Sequence, residues 1–303
     1  GGTSNTITIP AVMISQADGA AIRDLLDDGP VNATIQNTSH QRDGCLDAGV
    51  VAHEYGHGIS IRLTGGASNS DCLDNAEQMG EGWSDWLGLM LTIEAGDQGP
   101  DGRGVGTFAN GQAVTGVGIR PARYSTNFAV NSFTYNATNS TGSISQPHGI
   151  GFVWCTMLWE MAWDLIDAHG FDPDLYAGSG GNNIAMELVI EAMKLQPCRP
   201  GFVDGRDAIL AADELLYSGT NHCLIWQAFA RRGLGASADQ GSSDNRTDQV
   251  QAFDLPAECL STGLAEQTDR QGITIFPDPA NEQVTIDLGR GLAEEATIEL
   301  LDS

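Results

Sequence analysis

The sequence is short of basic residues: 14 lysines and arginines stand against 40 aspartates and glutamates, a net charge of −26 over 303 residues. Such a surface repels phosphate backbones and anionic lipid, which excludes nucleic acid and membrane surfaces as partners. It suits a chain in salty surroundings that carries its own loop sites for Ca2+, an expectation at this stage. No run of eighteen apolar residues occurs, so no segment reads as a membrane span. Cysteines are scarce too: Cys45, Cys72, Cys155, Cys198, Cys223 and Cys259. They form no CxxC pair, which excludes a thiolate zinc site, and they are too few for a disulfide scaffold. One or two surface disulfides in an oxidising compartment are expected. The preferred pair is Cys198 with Cys223, which flank one predicted helix. An initiator methionine and a signal peptide are also missing. The chain opens at Gly1 in what reads as mid-domain, so a fragment of a longer precursor is expected.

What is present is an ordinary globular composition, 41% hydrophobic and 18% charged, with ample chain to bury a core. Residues 1–36 read strand, helix, strand: ITIPAVMIS, ADGAAIRDLLDDG, PVNATIQ. Residues 37–260 read as mostly helical with glycine-rich loops, 261–271 as a polar linker, and 272–303 as β-rich. In that tail, Pro-Asp-Pro-Ala-Asn between two alternating runs signals strand–turn–strand. The fold class is therefore mainly α, flanked by an α/β fragment and a C-terminal β fragment. Helices are predicted from Asp47 to Arg62, from Ala76 or Gly80 to Glu94, and from Gly149 to Ala168. Three more run from Ile184 to Leu195, Arg206 to Tyr217 (capped by Asp204) and Cys223 to Arg232. Their Met and aromatic stripes read as core.

The segment VVAHEYGHGIS carries His53-Glu54-x-x-His57. On a helix, positions i and i+4 lie about 40° and one turn apart, so both imidazoles project toward one ion. Glu54 stands beside that ion without occupying it, where a carboxylate can take a proton from an activated water. A catalytic zinc takes three protein ligands and keeps one open position. Leu63 stands where the third histidine of a metzincin would be. In the downstream MGEGWSDWLG, Glu81 and Asp85 share a helical face at i and i+4. That spacing lets Glu81 bind the metal while Asp85 holds the far nitrogen of His53.

HEYGHGISIRLTGG followed by MGEGWSDW resembles the fungalysin family of secreted metallopeptidases, relatives of thermolysin. QPHGIGFVWCTMLWEMAWDL, CRPGFVDGRDAILAAD and HCLIWQAFARRGLG extend the resemblance over roughly residues 40–260. It implies a thermolysin-like helical catalytic domain, Zn2+ on His53, His57 and Glu81, and Glu54 as general base. His148 then matches the histidine that stabilises the oxyanion. The acidic residue that usually precedes it is missing from GSISQP, and Tyr124 is a candidate for the usual tyrosine donor. IPAVMISQADGAAIRDLL resembles the end of a protease-associated domain, and ITIFPDPANEQVTIDLG the start of a type IX secretion sorting domain. Together these imply a secreted or cell-surface monomeric endopeptidase acting on proteins or peptides, with the type IX secretion machinery as a partner. A zinc aminopeptidase and an inactive peptidase-like binding module are the alternatives.

Overall fold

The computed structural model describes residues 15–32, 34, 42–260, 274–276 and 285–287. Helix is the main regular structure among them, as the sequence predicts. Seven α-helices occur among the described residues: α1 Gln16–Asp27, α2 Ala48–Leu63, α3 Gly80–Met90, α4 His148–His169, α5 Gly181–Leu195, α6 Phe202–Tyr217 and α7 His222–Arg231. Strands β1 Thr274–Phe276 and β2 Thr285–Asp287 pair antiparallel, with Ile275 opposite Ile286, as the alternating tail predicts. The first predicted strand lies outside the described residues except for Ser15, the N-cap of α1; of the second, PVNATIQ, residues 30–32 and 34 are described and form no strand, and the rest lies outside the described residues.

Helix α4 is the centre. Seventeen of its 22 residues are buried, as expected of a helix that is apolar all round. It packs against α3, α5 and α7, and Trp154 and Trp159 within it are almost wholly enclosed. Trp154 meets Trp83 of α3 edge-on and also contacts Phe202 of α6 and Phe229 of α7. Buried aromatics of this size contribute about 1.5–3 kcal/mol each. A single tryptophan therefore ties the helix that carries Glu81 to the rest of the core. Helix α2 lies on the outer side of α3 and packs closely on it.

Helix ends depart from the predicted ones for local reasons. Asp47 is the N-cap of α2 rather than its first residue, with Oδ1 accepting from the N–H groups of Gly49 and Val50. The chain leaves α2 through Gly65 at φ 74°, a backbone state that favours glycine. Helix α3 stops at Met90, before the predicted Glu94; beyond it Thr92 bonds back to the Gly88 carbonyl and Arg103 takes the Thr92 carbonyl. Asp204 is not the cap of α6. It sits inside the first turn, and its Oδ2 accepts from the Gly201 N–H. The preferred disulfide is also corrected: Cys198 pairs with Cys72, and Cys223 with Cys259. The tertiary fold brings the α5–α6 connection onto the loop before α3, a proximity that flanking a common helix does not reveal.

Candidate metal centre

Helix α2 delivers both imidazoles to one point. His53 is buried, His57 is partly so, and their Nε2 atoms face each other 3.1 Å apart. The first turn of α3 adds Glu81, whose Oε2 lies 3.3 Å from His53 Nε2 and whose Oε1 lies 3.7 Å from His57 Nε2. Four ligands at ~2.0–2.1 Å around a tetrahedral zinc stand ~3.3–3.4 Å from one another. The three observed separations bracket that edge. Two nitrogens and a carboxylate converging this closely form a donor set suited to a divalent cation. Among the described residues it is the one such group of three or more His, Cys, Asp or Glu side chains.

Behind His53 stands a fully buried carboxylate. Asp85 Oδ1 lies 2.7 Å from His53 Nδ1, short in distance though off the line of the ring N–H. Arg120 grips Asp85 with two donors, Nε to Oδ2 at 2.6 Å and Nη2 to Oδ1 at 2.8 Å. The same Nη2 donates to Glu81 Oε2 at 3.0 Å. Tyr124 donates its hydroxyl to Asp85 Oδ2 at 2.5 Å. Burial alone would raise the pKa of Asp85, but the bonds from His53 and Arg120 outweigh it and hold the carboxylate below its ordinary range. Burial opposes protonation of His53 as well, yet Asp85 and Glu81 prevail and lift it to about 9. For His57, burial dominates and the neighbouring His53 adds to it, so its pKa is lowered. With Nδ1 turned to a carboxylate, the Nε2 of His53 is left for a metal, the arrangement that fixes ring and tautomer at such sites.

The cleft over this point has a volume of about 220 Å³ and is lined by Val50, His53, Glu54, His57, Glu81, Val105, Ile119, Arg120 and His148. All of the sequence-predicted residues except Asp85 and Tyr124 therefore reach it, and Asp85 lies one layer below. Glu54 is exposed at its edge. His148, the first residue of α4, is also exposed, with Nε2 3.3 Å from Glu81 Oε1. A larger cavity of about 360 Å³ lies between the start of α2, α3 and residues 103–114. It shares only Val105 with the cleft and holds none of the converging side chains, so size does not mark the chemistry here.

Two residues differ from the sequence expectations. Tyr124 is completely buried with its hydroxyl on Asp85; it braces the site from beneath and does not face the cleft. Arg120 escaped the motif reading. It lies in an irregular segment held by the backbone pairing of Arg103 with Tyr124, which has no periodic signature. The one available signal was chemical: two carboxylates a turn apart on a buried helix require a cation, and the chain has few to offer.

Residues 13–238 match the fungalysin metallopeptidase (M36) family. The extracellular metalloproteinase MEP of Neosartorya fischeri is 47% identical over 218 residues, covering 69% of this chain and 33% of that protein. Its Aspergillus fumigatus counterpart is 46% identical with the same coverage. Extracellular metalloproteinase 4 of Trichophyton tonsurans is 44% identical over 236 residues, 75% of this chain and 35% of that protein. The chain thus spans about a third of the length of these relatives. Because the match extends over residues 13–238, a span that includes the helices bearing His53, His57 and Glu81 and reaches past α7, the chain belongs to the fungalysin family.

Proposed function

We propose that this chain carries the catalytic centre of a secreted zinc endopeptidase, with His53, His57 and Glu81 holding Zn2+. The observation that carries the reading is the convergence of two Nε2 atoms and one carboxylate within 3.1–3.7 Å. When bound, the ion supplies a Lewis acid that acidifies water and polarises a carbonyl oxygen. Glu54, exposed at the cleft edge, takes a proton from the attacking water and passes it to the leaving amine nitrogen. His148 Nε2 donates to the oxyanion as the carbonyl carbon becomes tetrahedral. Asp85 keeps His53 oriented, and Arg120 keeps Asp85 and Glu81 ionised side by side.

The cleft supports a protein or peptide substrate, since Val50, Val105 and Ile119 form an apolar wall beside the ligands. Secretion is supported by the relatives' names, which describe extracellular enzymes. No helix among the described residues is long and apolar enough to cross a membrane. The segment 1–36 as the end of a protease-associated module, 272–303 as the start of a type IX sorting domain, bound Ca2+ and a monomeric state complete the proposal.

The test is hydrolysis of casein and of an N-terminally blocked peptide, with and without a chelator. Cleavage of both, abolished by the chelator and restored by zinc, is expected. Glu54→Gln should retain zinc and lose at least ~100-fold in kcat. Cleavage of free N-termini alone would point to an aminopeptidase. Zinc binding without hydrolysis of any peptide would point to a binding module, and a Glu54→Gln variant of normal activity would remove Glu54 as the base.

A further inference from the structure

Helices α2, α3 and α4 meet around Glu81, and at each crossing a glycine faces the neighbouring helix. Gly56, set between the two histidines of α2, faces α3; a methyl group there would stand 2.9 Å from Ser84 Cα. Gly88 of α3 faces back, and its methyl would stand 2.9 Å from the Gly49 carbonyl oxygen. On the other side, a methyl on Gly151 of α4 would lie 2.4 Å from Glu81 Cβ and 2.5 Å from the Gly82 nitrogen. Carbon atoms do not pack at such separations, so one helix would have to move. Gly58 is the contrast: it stands in the same helix beside His57, and a methyl there meets nothing within 4 Å.

Glycine inside a helix is unfavourable to the helix itself. At Gly56, Gly88 and Gly151 that cost has a visible return in close backbone approach, and each approach bears on a metal ligand. Gly151 touches Glu81 directly. Gly56 and Gly88 set how near α3 comes to α2, and so the 3.3 Å and 3.7 Å separations of Glu81 from the two imidazoles. A metal site tolerates only about ±0.2 Å in its ligand distances. We infer that Gly56, Gly88 and Gly151 are positioning residues, which hold the ligand triangle at metal-binding size by letting the three helices close on one another. The inference rests on the zinc-site reading above.

The experiment uses the full chain and its Gly151→Ala, Gly56→Ala and Gly58→Ala variants. Zinc affinity is measured by competition with a chromophoric chelator, and thermal unfolding is followed for metal-free and zinc-loaded forms. Gly58→Ala should keep parental zinc affinity while the metal-free Tm rises by about 1–3 °C. Gly151→Ala and Gly56→Ala should unfold cooperatively without metal and bind zinc about 10- to 100-fold more weakly. A purely structural role would lower Tm and leave zinc affinity alone, and that result overturns the inference. Metal-free variants without a cooperative transition would overturn it too, by placing the glycines' role in folding. A parent chain that fails to bind zinc would overturn the zinc-site reading, and the inference with it.

Discussion

Glu77 offers a test of the buried electrostatics of this fold that needs no metal. It lies in the loop leading into α3 and is completely buried. Its partners are the Tyr135 hydroxyl at 2.8 Å and the Phe202 N–H at 3.2 Å. Burial raises its pKa more than these two bonds lower it, and Asp248 and Asp204 add repulsion, so it moves from an ordinary 4.5 to about 8. Between those values the folded chain holds a proton that the unfolded chain has lost. Stability is therefore full below pH 4.5 and falls as pH rises through about 8. At ~1.4 kcal/mol per pH unit the whole loss is about 5 kcal/mol, and about 3 kcal/mol of it falls between pH 6 and pH 9. Glu77→Gln reproduces the neutral acid, with an N–H for the Tyr135 oxygen and a carbonyl for the Phe202 N–H. Urea unfolding at the two pH values should show the parent losing about 3 kcal/mol more than the variant, a difference that cancels every other titrating group. Parallel pH profiles would refute the reasoning and show that Glu77 is ionised in the folded chain.

Asp85→Asn should weaken zinc binding by about 10- to 100-fold, because His53 loses the charge behind its ring and Arg120 loses half its grip; unchanged affinity in chelator competition would count against the orienting role. The raised pKa of His53, about 9 in the metal-free chain, means that zinc displaces a proton there at pH 7. Calorimetry in two buffers of different ionisation enthalpy should register close to one proton released, and none would contradict the assignment. Removing the Cys72–Cys198 disulfide, with a sequence separation of 126, should destabilise the chain more than removing Cys223–Cys259, with a separation of 36. Chain entropy gives ceilings of about 5 and about 4 kcal/mol, and the order of the two serine double variants in urea is the check.

The parts of this molecule legible in the sequence are those written at helical spacing. His53 with His57, and Glu81 with Asp85, each sit four residues apart, so one turn of helix fixes their common face before any tertiary structure is considered. The apolar stripe of α4 is legible for the same reason. The cysteines were not. Cys72 meets Cys198 because the loop before α3 folds onto the α5–α6 connection, where Arg199 N–H also bonds the Cys72 carbonyl. No local rule encodes that proximity.

Arg120 marks the same boundary from the side of chemistry. Glu81 and Asp85 are carboxylates one turn apart, Asp85 wholly buried, and each is held below its ordinary pKa. Two such groups stay ionised together only with a cation between them. His53 satisfies part of that demand in the metal-free chain, and under the proposed function a bound zinc would take over at Glu81. At Asp85, His53 shares the task with Arg120 only while it is protonated, so Asp85 needs a partner that relieves it in both states. A fixed, non-titrating guanidinium is the group that does, and Arg120 reaches Asp85 through two nitrogens and Glu81 through one. The sequence motif names the residues that would touch the metal. The requirement that those residues stay charged while buried names the kind of residue still to be found, and only the fold says which arginine it is.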